Sequence, residues 1–187
     1  AAARNASTLV VAEHNGKSVN QGTLACLTAA SKIGGDVNLL VLGSNTADVV
    51  AEAVNIPGVA KVLFANNASL EHNLAENTAK VVQGLSGDYT HILTPSSNIG
   101  KNFMPRLGAM MDVAPLSDVM EVVSEDTFVR PIYAGSALAT VQMKDSIKLI
   151  TTRTTAFDKV GVTGGSSESS EVSSDDSDAG LSSFVSE

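Results

Sequence analysis

Across residues 7–113 the chain alternates four times between a short, continuously apolar run and a longer stretch with helical spacing. The runs "STLVVAE" (7–13), "DVNLLVLG" (36–43), "VAKVLFAN" (59–66) and "YTHILTP" (89–95) read as strands. Between them, "NQGTLACLTAASKIGG" (20–35) places Leu24, Leu27 and Ala30 on one side and stops at Gly34-Gly35. "NTADVVAEAVNIPG" (45–58) is a shorter helix closed by Pro57-Gly58, and "LEHNLAENTAKVVQGLSG" (70–87) carries Leu70, Leu74, Thr78 and Val81 near one face. "NIGKNFMPRLGAMMDV" (98–113) sets Phe103, Leu107 and Met110-Met111 on one side, with Pro105 near its first turn. Strands apolar on both faces, separated by helices, predict a parallel sheet covered on both sides and doubly wound.

After Pro115 the rhythm changes. "SDVMEVV" (117–123), "DTFVRPIYAG" (126–135), "ALATVQM" (137–143) and "SIKLITTR" (146–153) are strand-like, with turn breaks and no helix between them. "VQMKDSIKL" predicts a hairpin about Lys144-Asp145-Ser146. This second part is expected to be antiparallel and to extend an edge of the same sheet. Beyond Phe157 the segment "GVTGGSSESSEVSSDDSDAGLSS" has no periodicity and too little apolar surface to offset the entropy of ordering. It is expected to be a mobile linker or tail, nicked first by protease, with Leu181, Phe184 and Val185 as the points where docking would begin. The resulting division is an extension at 1–6, a folded domain at 7–160 and an acidic Ser/Gly-rich tail at 161–187.

The formal charge of −8 is concentrated in that tail, which holds six acidic residues and no Lys or Arg. Residues 1–160 carry 12 basic and 14 acidic groups, so the folded part lacks the clustered basic face that nucleic-acid binding needs. No apolar stretch approaches the ~20 residues of a membrane-spanning helix, so no direct membrane insertion is expected. Cys26 is the only cysteine, which excludes a disulfide framework. Its setting in "TLACLTAAS" points to a buried structural thiol rather than a nucleophile.

The chemistry-bearing candidate is "THILTPSSNIGKN" (90–102), small polar residues with a Gly-Lys pair between a strand and a helix. Ligands of open α/β sheets sit in this position, beyond the carboxyl ends of the strands. Yet the loop lacks the earlier glycine of a phosphate loop, and Asn102 stands where that motif requires Ser or Thr. The plainer reading is a capped helix start, with Ser97 or Asn98 accepting a hydrogen bond from a first-turn amide. His14, His72 and His91 are scattered without metal-ligand spacing, and no metal site is expected. Glu13, Asp112, Asp118, Glu121 and Asp126 fall near strand ends without a spacing that proposes acid-base work. A hydrolase using Ser96 or Ser97 lacks an identifiable base. No catalytic residue emerges from the sequence.

Several stretches together resemble the alpha subunit of electron transfer flavoprotein: "STLVVAEH", "VAKVLFA", "YTHILTPSSNIGKNFMPRLGAMMDVAPLSDV", "DTFVRPIYAGSALATV" and "TTRTTAFD". The resemblance runs from Ser7 to Asp158. It implies an α/β fold, Rossmann-like and similar to adenine nucleotide alpha hydrolases, with a doubly wound, mainly parallel sheet and antiparallel strands at one edge. It further implies a heterodimer with a beta subunit that holds AMP. That heterodimer carries electrons from acyl-CoA and related dehydrogenases, in fatty acid beta-oxidation, to a quinone oxidoreductase. In the family FAD is bound by a second alpha-subunit domain, whose glycine- and arginine-containing loop has no counterpart here. That domain is therefore expected to be absent from this chain, and no cofactor is expected on this chain alone. In that context the 94–102 loop faces a protein partner, and Asn98, Lys101, Asn102, Arg106 and Arg153 are the candidate interface residues. The family and the small, basic start "AAARNAS" favour the mitochondrial matrix, with a bacterial cytoplasm as the alternative. The competing reading is a stand-alone nucleotide-binding module similar to universal stress proteins.

Overall fold

The computed structural model describes residues 6–186. The remaining residues, including most of the N-terminal extension at 1–6, lie outside the described residues. Strands β1 (Ser7–Val11), β2 (Asp36–Gly43), β3 (Lys61–Asn66) and β4 (His91–Pro95) alternate with helices α1 (Gln21–Ile33), α2 (Ala47–Ala53), α3 (Ala75–Leu85) and α4 (Asn98–Met111). They are followed by β5 (Leu116–Val119), β6 (Glu121–Val122), β7 (Thr127–Ile132), β8 (Ala137–Gln142), β9 (Lys148–Thr152) and β10 (Glu168–Glu171). The main sheet has seven strands in the order β10-β3-β2-β1-β4-β9-β5, all neighbours parallel. The chain builds outward from β1 in one direction and then reverses to β4 on the other side.

Two cores cover the sheet, and the two-residue period of its strands decides which side chain enters which. Val10 and Leu39 join Leu24 and Leu27 of α1 on one face. Their neighbours Leu9 and Leu40 point the other way, to Phe103 and Leu107 of α4 and Val82 of α3. Both faces are dry, which is why these strands show no polar alternation. Among the described residues no helix is long and apolar enough to cross a membrane.

Four expectations need correction. The antiparallel strands do lie at one edge, but as a separate three-stranded sheet, β6-β7-β8, that adjoins the main sheet where β5 runs into β6. The hairpin about residues 144–146 does not exist. β8 belongs to the small sheet, whereas β9 lies inside the main one, parallel to β4 and β5. The reason is burial on both sides: Leu149 enters one core and Ile150 the other, and an interior strand alone permits that. Likewise Pro105 lies in the interior of α4, not in its first turn. There it leaves the Lys101 carbonyl without its helical donor.

The fourth correction concerns residues 161–186, which are docked. β10 pairs in parallel with β3, matching Glu168 to Lys61 and Glu171 to Phe64. Gly165 N donates to Asn55 O at 2.7 Å and Ser167 N to Val54 O at 2.9 Å. Asn67 Nδ2 then donates to Ser174 O at 2.9 Å, Ser69 and Ser177 join hydroxyls at 2.6 Å, and Ala179 N donates to Asn77 Oδ1 at 2.9 Å. Lys80 Nζ sits 2.9 Å from Asp176 Oδ1. A segment poor in apolar residues is ordered here by main-chain pairing to an open sheet edge and by polar contacts. Of the three apolar positions near its end, Leu181 and Val185 stay exposed, and only Phe184 finds a partner, the His72 ring.

Candidate functional site at the carboxyl end of the sheet

The loop after β4 forms a capped helix start. Ser97 Oγ accepts from Gly100 N at 3.0 Å, closing the first turn of α4. The same hydroxyl donates to the Glu13 carboxylate, which arrives from the end of β1. Glu13 is itself held by Thr23 of α1: Glu13 N donates to Thr23 Oγ1 at 2.8 Å. Burial pushes the Glu13 carboxyl above the usual carboxylate range, and the hydrogen bonds from Ser97 and the Gly100 amide oppose that rise. The positive end of α4, where a phosphate would sit, is thus filled by an acid of the chain itself.

The Gly-Lys pair has an equally local explanation. A Cβ on Gly100 would collide with the Pro95 carbonyl oxygen and come within 2.9 Å of Thr94 Cγ2. The glycine lets α4 turn back tightly against the end of β4, and no ligand is needed to account for it. Lys101 follows, exposed, and its charge helps to lower the pKa of Asp118.

Asp118 and Arg153 make the second feature of this end. Arg153 Nε donates to Asp118 Oδ2 at 3.1 Å and the terminal Nη2 makes an ion pair with the same oxygen. Hydrogen bonding from Arg153 is the main reason the Asp118 carboxyl lies below its ordinary range, with burial opposing it. Ser96 adds a smaller lowering, although its buried hydroxyl does not complete a hydrogen bond. Asp118 adopts a left-handed conformation, φ 63°, at the irregularity in the β5 ladder between Leu116 and Val119, and its carboxylate meets Arg153.

The five candidate interface residues are not brought to one place. Asn98 and Asn102 line a cavity above β1 and β2. Lys101 and Arg153 lie at Asp118, above β4, β9 and β5. Arg106 projects from α4 across to α3, where its Nη2 is 2.9 Å from Glu76 Oε1. Sequence reading placed Glu13 and Asp118 near strand ends without roles. Their partners lie 84 and 35 residues away, so no local spacing signals them.

Two of the three histidines, His14 and His91, are fixed by backbone groups. His14 Nε2 donates to Leu42 O at 2.8 Å, and its Nδ1 accepts from Gly16 N at 3.1 Å. His91 is buried in β4, donates from Nε2 to Glu125 O at 2.6 Å, and has its pKa lowered chiefly by burial. Cys26 lies wholly inside the α1 core, and burial pushes its thiol up to about 12, far from the thiolate a nucleophile needs.

The cavity has a volume of about 900 Å³ and is walled by the loops after β1, β2 and β3 and by the start of α4. Amides and imidazoles dominate its lining, which includes no lysine or arginine. With α4 capped by Glu13 through Ser97, that helix start is not an open anion site.

Comparison with known proteins agrees with this geometry. The profile of the electron transfer flavoprotein domain family matches residues 8–177. The electron transfer flavoprotein subunit alpha of Pseudomonas aeruginosa is 49% identical over 179 residues, covering 96% of this chain and 58% of that one. The subunit of the same name from Paracoccus denitrificans is 44% identical over 177 residues, covering 95% and 57%. The mitochondrial subunit of Dictyostelium discoideum is 42% identical over 168 residues, covering 86% and 47%. The chain spans about half the length of these relatives. An α/β domain with a reversed chain order, a self-capped phosphate position and this extent of identity belongs to the electron transfer flavoprotein family, among its alpha-subunit sequences.

Proposed function

We propose that this chain is the scaffold and subunit-interface part of an electron transfer flavoprotein alpha subunit, and that it carries no reaction centre of its own. It acts as part of an electron carrier rather than as a catalyst. FAD is bound by the remainder of the subunit and AMP by the beta subunit. The assembled heterodimer takes electrons from acyl-CoA and related dehydrogenases and delivers them to a quinone oxidoreductase. In a eukaryotic source the compartment is the mitochondrial matrix, and in a bacterial source the cytoplasm.

The observation that supports this reading best is the outer surface of the small sheet. On β8 alternate residues face solvent, and one of them is Leu138, 63% exposed. Tyr133, in the turn before it, is 82% exposed, and Val123, just after β6, is 56% exposed. Leu138 and Tyr133 at the β7–β8 turn, with Val123 at the other end of a sheet whose β8 edge is unpaired, fit a protein partner. Asn98, Lys101, Asn102, Arg106 and Arg153, spread over the carboxyl end of the sheet and α4, are the polar candidates for further contacts with the partner. Co-purification of the beta subunit with the Leu138→Asp/Tyr133→Ala variant, and separately with the Lys101→Glu/Arg106→Glu variant, tests the assignment. Loss of the beta subunit in the first and weakening in the second is expected. Retention in both, with the fold intact by circular dichroism, refutes it.

A further inference from the structure

The cavity above β1 and β2 contains one arrangement that the scaffold role leaves unused. Phe184, at the far end of the docked segment, lays its ring on His72 with centroids 3.7 Å apart and planes 11° from parallel. Both rings line the cavity. Phe184 remains 41% exposed, so the stack is an aromatic slot at the cavity wall rather than a piece of the core. A few residues earlier the segment is held by Ser182 Oγ, which donates to Glu76 Oε2 at 3.1 Å, and by Ala179 N on Asn77. Among the described residues Ser182 is the last side chain of the segment to make a polar contact, so Phe184 can leave the slot without unpinning the rest.

The lining sets the chemistry of what fits. Asn45, Asn98 and Asn102 bring amides, which can donate and accept, to the lining, whereas Asn15 Oδ1 is taken up by the Lys17 and Ser18 amides. Glu71 contributes a carboxylate able to accept from hydroxyl groups, and there is no cation to hold a phosphate. The volume, about 900 Å³, lies within the ordinary range for a small-molecule site. Its place beyond the carboxyl ends of the strands, where the chain order reverses, is where open α/β sheets bind ligands.

We propose that this cavity is a binding site for an uncharged ligand with a flat heteroaromatic ring, of the nucleoside class, and that Phe184 is its resident plug. The ligand ring takes the place of Phe184 on His72, the amides read its edge and Glu71 accepts from its hydroxyls. Binding therefore frees residues 183–186 from the surface. This site differs from a nucleotide site at α4, because the helix end is already occupied by Glu13.

Calorimetric titration of the full chain with adenosine and with AMP tests this. Removing the plug with Phe184→Ala is expected to tighten adenosine binding about 2- to 10-fold, the value of one aromatic stack. Removing the platform with His72→Ala is expected to weaken it by a similar factor, and AMP is expected to bind less tightly than adenosine. Both side chains are exposed, so neither variant threatens the core. As a second readout, adenosine is expected to speed proteolysis at 183–186 in the wild-type chain and to leave the 168–171 region protected. The proposal is overturned if Phe184→Ala shows no adenosine binding, if His72→Ala binds as the parent does, or if AMP binds the more tightly.

Discussion

Gly165 is where the docking of the acidic segment is most exposed to a single change. A Cβ placed there would lie 2.6 Å from the carbonyl carbon of Ile56 and 2.9 Å from that of Asn55, well inside the 3.4 Å at which ordinary contact begins. These atoms are backbone, and Ile56 is fully buried, so they cannot yield as a flexible side chain does. In Gly165→Ala the segment must lift instead. That breaks the bond from Gly165 N to Asn55 O and the next one, from Ser167 N to Val54 O. Two such bonds are worth about 2 kcal/mol together, which raises the open fraction of the segment about 30-fold. Little apolar surface is at stake, so the main thermal transition should barely move. Limited proteolysis read by mass spectrometry is the assay, with cuts between 161 and 183 expected to appear about 30-fold faster. Gly161→Ala is the control, since its Cβ meets nothing closer than 4.0 Å and its rate should match the parent. Equal nicking of parent and Gly165→Ala would refute the steric argument. A large drop in the global melting temperature would show that the segment is integral to the core.

Two other expectations concern the sheet and its capped end. Leu149→Ala should cost about 2–5 kcal/mol in chemical denaturation, because β9 is interior and Leu149 fully buried, whereas a loss near zero would return β9 to an edge. Glu13 has a folded-state pKa raised chiefly by burial, so the folded chain holds that proton more tightly than the unfolded chain does. Its contribution to stability is full below the ordinary value of 4.5 and falls as pH rises through the folded-state pKa. Glu13→Gln removes this dependence, so its melting temperature should gain on the parent's between acid and neutral pH, and a constant difference across that range would contradict the burial argument.

Most of the architecture could be read from local pattern. The four apolar runs and intervening helices of residues 7–113 carry their period in the sequence, and Ser97 carried its capping role in its type and place. Reading failed where a segment's fate depends on distant surface. "SIKLITTR" looks like a hairpin partner of its neighbour until a slot between β4 and β5 is known to exist, and that slot is built from chain about 30 and 55 residues earlier. The glycines of 161–165 look like flexibility, but Gly165 is there to let two backbones meet. At the candidate site the same holds for Glu13 with Ser97 and for Asp118 with Arg153, pairs whose members come from different strand ends.

The capped end of α4 bears on how a nucleotide-type fold serves as a scaffold. A helix N-terminus beyond a parallel sheet attracts an anion whether or not a ligand is wanted. Here the residue two places past β1 supplies a carboxyl group, bonded by Ser97 and the Gly100 amide, at that helix start. Gly100 and Ser97 then keep the local geometry that a phosphate loop would need, but spend it on an internal contact. Arg153 is treated in the same way by Asp118. With both charge centres at the carboxyl end paired within the chain, the polar chemistry that remains open is the neutral amide cavity beside His72, and the open apolar surface is on the small sheet. These two surfaces, one polar and concave and one apolar and exposed, are what the domain leaves open to a ligand or a partner.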